Sequence, residues 1–102
     1  MVDPQAARHQ IDLRLQALRA LSRTELMTLP SAAVEAIRFG SEEWSLTTYV
    51  DAERGGDVRV VVQIGPSQQP KLLLLHVQAD GFRLASGGST SALSQRELAE
   101  FT

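Results

Sequence analysis

From Pro4 to about Leu21 the apolar residues recur at helical spacing. At about 100° per residue, Ala6, Ala7, Ile11, Leu13, Leu15, Ala17, Leu18 and Leu21 fall in one wedge roughly 200° wide. Arg8, His9, Asp12, Gln16, Arg19 and Arg23 fill the remaining polar stripe. A helix resting on one sheet needs a narrower apolar stripe, so this helix is expected to touch a second body as well. Arg14 lies inside the wedge and must either run its stem along apolar surface or meet a carboxylate at an interface.

The stretch Leu21-Ser22-Arg23-Thr24-Glu25-Leu26 has a near copy in Leu93-Ser94-Gln95-Arg96-Glu97-Leu98. Each offers a serine N-cap, a glutamate three positions on for a capping box, and leucines placed for a hydrophobic staple. Both are read as helix starts. The first opens a short helix that Leu29-Pro30 closes, because a residue before proline avoids the α region. Pro30 then predicts a further helical piece, Ser31 to Phe39, with Gly40 as its stop.

From Glu43 the period becomes two. Trp44, Leu46, Thr48 and Val50 alternate with Glu43, Ser45, Thr47 and Tyr49, the pattern of a half-buried strand. After a loop at Asp51–Asp57, Val58, Val60, Val62 and Ile64 alternate with Arg59, Val61 and Gln63 in a second strand. The run Lys71–Ala85, KLLLLHVQADGFRLA, predicts a β-hairpin turning at Asp80-Gly81, since Asp-Gly suits a turn with positive φ at both central residues. In that register Leu73, Leu75, Val77, Ala79, Phe82 and Leu84 share the core face, and Leu72, Leu74, His76, Gln78, Arg83 and Ala85 the outer one. The implied class is α+β: N-terminal helices over 4–39, a four-stranded antiparallel β-meander over 43–86, and a short C-terminal helix over 94–102. With 102 residues, these elements form a single domain.

Composition narrows the function. The net charge of −2 argues against broad attraction to nucleic acid or anionic lipid, and Arg8, Arg19 and Arg23, with Asp12 among them, are expected to be a solvated face. Cysteine is absent, which excludes disulfides and thiolate metal ligands. The N-terminal residues form no apolar leader and no run approaches the length of about 18 residues for a membrane span, so a cytoplasmic protein of bacterial type is expected.

Candidate chemistry is sparse. His9 and His76 are the two histidines, without metal-ligand spacing, so neither metal nor cofactor is expected. No carboxylate or nucleophile stands beside His76, which favours an interface residue over a general base. Asp51, Glu53 and Asp57 flank Gly55-Gly56 and are expected as solvated loop charges. Gly87-Gly88-Ser89-Thr90-Ser91 lacks the spacing of a phosphate-binding loop and is read as a linker. The leading expectation is a non-enzymatic, homodimeric protein-protein interaction domain of adaptor, immunity-like or chaperone-like type. Its candidate interface is Leu72, Leu74, His76 and Arg83 on the outer sheet face, or Arg14 and Leu18 on the first helix. The alternative is a small-molecule-binding or enzymatic domain with a pocket lined by Trp44, Tyr49 and His76.

Overall fold

The computed structural model describes residues 4–66 and 78–100. Helix α1 spans Pro4–Arg19 and α2 Arg23–Met27, followed by strands β1 (Ala32–Phe39), β2 (Glu42–Ala52), β3 (Val58–Pro66), β4 (Gln78–Leu84) and β5 (Thr90–Ala92), and by helix α3 (Gln95–Ala99). The class is α+β. Among the described residues the sheet has five strands, ordered β1-β2-β3-β4-β5 and antiparallel throughout, where four were expected.

Helix α1 packs across one face of the sheet. Ala7, Ile11, Leu15 and Leu18 are buried against Leu46, Val50, Val58, Val60, Val62, Ile64 and Phe82. The central aliphatic side chains of α1 each contribute about 1.5–3 kcal/mol through this burial. The apolar wedge is only partly used: Leu13 and Ala17 lie on the solvent side of the helix. Ser22 and Ser94 both accept from the backbone N–H three residues on, and Glu25 and Glu97 return the bond to the cap. Both capping boxes therefore form as the sequence implies. Helix α2 buries Leu26 in the α1 core, whereas α3 lies on the other side, where Leu93 and Leu98 meet Val61, Tyr49 and Ala79.

Two expectations fail. The segment Ser31–Phe39 is not helical: Ala32–Phe39 pairs along its whole length with β2, from Ala32 opposite Tyr49 to Phe39 opposite Glu42. Its alanines favour a helix locally, but the strand supplies β2 with a hydrogen-bonded neighbour and places Ile37 and Phe39 on the core. Gly40, with φ +63°, serves the tight β1–β2 turn rather than a helix end.

The hairpin at Asp80-Gly81 is also absent, because β4 runs straight through both residues and pairs with β3, Asp80 opposite Val62 and Gly81 opposite Val61. Without a turn between them, Ala79 faces the α3 side while Phe82 and Leu84 face α1. Gly81 is required by space, not by φ. A Cβ there would sit 2.2 Å from the Val60 carbonyl oxygen. The linker reading of Gly87–Ser91 gives way in part to β5, which pairs with β4. No helix among the described residues is long and apolar enough to cross a membrane.

Candidate functional site

The face of the sheet opposite α1 divides into two halves. Toward β3 and β4 it is charged and covered by α3. Asp51, Arg59, Arg83 and Ser91 stand in one cross-strand row on β2, β3, β4 and β5. Arg59 donates to Asp51 at 2.6 Å and to Glu100 at 2.5 Å, while Arg83 donates to Glu53 at 2.8 Å and to Glu97. Glu53 also lies 3.8 Å from Arg59. These bonds, first from Glu53 and then from Glu97, push the Arg83 guanidinium further toward its charged form. The Glu97 carboxyl is held below its ordinary value, chiefly by the Ser94 backbone N–H and then by Arg83.

The loop acids are therefore structural rather than simply solvated. They neutralise two arginines that alternation places on one face. The sequence signal was the recurrence of Asp51, Glu53, Asp57, Arg59 and Arg83 at positions that pair once the β2–β3–β4 register is known.

Toward β1 the same face is bare among the described residues. Ala32, Val34 and Ala36 are exposed there, opposite Tyr49, Thr47 and Ser45, and Val34 retains 68% of its accessible surface. Among the described residues β1 is also the end strand of the sheet. Alternate backbone N–H and C=O groups along its eight residues point away from β2.

The expected site residues separate. Leu72, Leu74 and His76 lie outside the described residues. Leu18 is core, 5% exposed. Arg14 does meet a carboxylate, but within the chain: it donates to both oxygens of Glu35 on β1. That contact draws the Glu35 carboxyl below its ordinary value. Arg83 lies under α3. Trp44 packs on the α1 side, edge-on to Phe39 at 6.2 Å, and its indole N–H donates to Glu42. Tyr49 packs on the α3 side. The two rings thus stand on opposite faces of the sheet and do not line one cavity.

The basic stripe of the first helix is likewise engaged. Arg8 bonds Asp80 at 2.5 Å and lies 3.0 Å from Asp12, Arg19 covers the Phe82 ring at 5.2 Å, and Arg23 donates to the carbonyls of Gly56 and Ala85. These arginines fasten the helices to the sheet, so the solvated-face expectation is replaced by a clamping role. Among the described residues no cluster of three or more histidine, cysteine or acidic side chains is arranged to hold a metal ion. No protein-family model, curated protein or solved structure matches this chain.

Proposed function

We propose that the protein is a non-enzymatic interaction domain that forms a homodimer by pairing β1 with the β1 of a second copy. The observation that carries this reading is an end strand of eight residues whose outer face presents Ala32, Val34 and Ala36 to solvent. Such an edge offers hydrogen-bonding groups in register together with small side chains that allow close approach.

A two-fold axis normal to the sheet pairs strands antiparallel, and a pairing centred on Ala36 sets Val34 against Arg38 and Glu35 against Ile37 in both halves. No like charges then face one another. Arg38 ends the apolar strip of Ala32, Val34 and Ala36 on the same face, and a charge at the edge limits open-ended stacking.

Sedimentation at micromolar concentrations tests the reading: wild type should run as a dimer, and Val34→Lys with Ala36→Glu as a folded monomer. A wild-type monomer rejects it.

A further inference from the structure

Residues 86–100 are attached to the fold more lightly than the other described elements of the sheet. Residues 86–92 are exposed throughout, and β5 touches the sheet through three pairs, Phe82–Ala92, Arg83–Ser91 and Leu84–Thr90. Beyond them, the five-residue α3 is seated by the side chains of Leu93 and Leu98 and by two charged contacts, Glu97 to Arg83 and Glu100 to Arg59.

The seat itself belongs to the interior of the sheet. Val61 is fully buried on the middle strand, and Arg59 and Arg83 are held independently of α3 by Asp51 and Glu53. A preformed seat filled by a short, lightly anchored segment on an exposed connection is the arrangement from which elements exchange between copies.

We propose that residues 90–100 are an exchangeable arm, and that the seat on β4 and the outer face accepts the same arm from a second copy of this chain. The occupant is specified by what the seat recognises: a strand edge for β5, an apolar hollow over Val61 and Ala79 for two leucines five residues apart, and two guanidinium groups for Glu97 and Glu100. The other Leu-Ser-x-x-Glu-Leu stretch does not compete, because Leu26 is locked in the α1 core. This association shares its outcome with the β1 pairing but uses a different surface, so either can hold without the other.

The connection between Leu84 and Thr90 decides whether the arm folds back on its own chain. It turns through the Ala85 N–H to Ser89 carbonyl and Gly88 N–H to Ala85 carbonyl bonds. Deleting residues 86–89 leaves Ala85 alone between the paired residues, fewer than the two that the shortest common hairpin loop requires. In a background carrying Val34→Lys and Ala36→Glu, which removes the β1 pairing, the deleted chain should be a dimer with exchanged arms and keep the Leu98 amide, bonded to the Ser94 carbonyl, as slow to exchange with solvent hydrogen as in wild type. A monomer in that background, or a dimer with an unprotected Leu98, overturns the proposal.

Should the deletion prevent folding, full-length chain carrying Leu93→Asp and Leu98→Asp is titrated with a labelled peptide of residues 89–102. A tethered arm competes at an effective concentration on the order of millimolar, so wild type should bind the peptide roughly tenfold or more weakly than this variant. Reversing both glutamates of the peptide to lysine should abolish binding. Equal binding to both proteins, or no binding to the folded variant, overturns the exchange. If the double variant also fails to fold, Leu98→Ala serves in its place under the same criteria.

Discussion

Arg59 and Arg83 stand directly opposite each other on β3 and β4, so their guanidinium groups project from the same face of the sheet. Like charges in that relationship repel, and the pair is tolerable because carboxylates surround it. Asp51 meets Arg59 from the next strand, and Glu53 lies within salt-bridge reach of both arginines. In the charged row the carboxylates bridge and neutralise the two arginines.

Removing the shared carboxylate should expose the repulsion. Glu53→Gln is expected to lower stability by about 1 kcal/mol, a value reduced from that of a charged hydrogen bond because these side chains remain partly solvated. Adding Arg83→Met should recover part of the loss. Urea denaturation of the two single variants and the double variant measures the coupling, and strictly additive losses would mean that the two arginines do not sense each other.

Gly81 supplies a sharper test of the β4 assignment. Even alanine there places a methyl 2.2 Å from the Val60 carbonyl and 3.1 Å from a Leu93 methyl group, so Gly81→Ala should cost about 1–3 kcal/mol or more. The contrast is Gly40→Ala, where nothing lies within 4 Å and the penalty comes from φ +63° alone. Thermal unfolding separates them: a mild effect at position 81 would restore a turn there.

These two glycines also mark what the sequence could and could not disclose. The alternation of Val58–Ile64 and both capping boxes are local patterns and appear as those patterns imply, and α1 is helical, though Leu13 and Ala17 of its wide apolar wedge stay exposed. Asp80-Gly81 and Ala32–Phe39 mislead because their conformations are set by neighbours: β3 holds one in strand pairing, and β2 converts the other from an alanine-rich helix former to an end strand. The charged row under α3 was invisible for the same reason. Its members come from β2, β3, β4 and α3, and only the register brings them together. Arg14 was partly legible: a cation inside an apolar wedge left two outcomes, a stem along apolar surface or a carboxylate at an interface, and the carboxylate it meets is Glu35 within the chain.

Thr48 carries a buried hydroxyl, 6% exposed at the residue level, without a hydrogen-bond partner among the described residues. Its neighbours across the strands are Ala33 and Val62. Replacing a buried, unpaired hydroxyl by a methyl removes a desolvation cost while preserving shape, so Thr48→Val should stabilise the fold by about 1 kcal/mol. A lower urea midpoint for the variant would mean that the hydroxyl is satisfied in solution.

Acid should weaken the molecule, and release the C-terminal arm ahead of global unfolding. Glu35 is held below its ordinary value first by the Arg14 hydrogen bond, and Glu97 first by the Ser94 backbone N–H and then by Arg83. A carboxyl whose folded value is depressed stabilises fully above its unfolded value, about 4.3 for glutamate, and that contribution is lost as pH falls through the lower folded value. Stability should therefore be flat near neutrality and decline below about pH 4.5. Glu35→Gln should start lower and decline less steeply, since it has no such proton to take up. The arm responds first because Leu93 and Leu98 are its buried anchors, whereas α1 is held by four buried side chains. Hydrogen exchange at the Leu98 amide should accelerate on acidification, after correction for the intrinsic rate, at a pH where the Val60 amide is still protected. If both amides lose protection together, the arm opens only with the whole fold and the charged contacts to Arg59 and Arg83 do not act as its fastening.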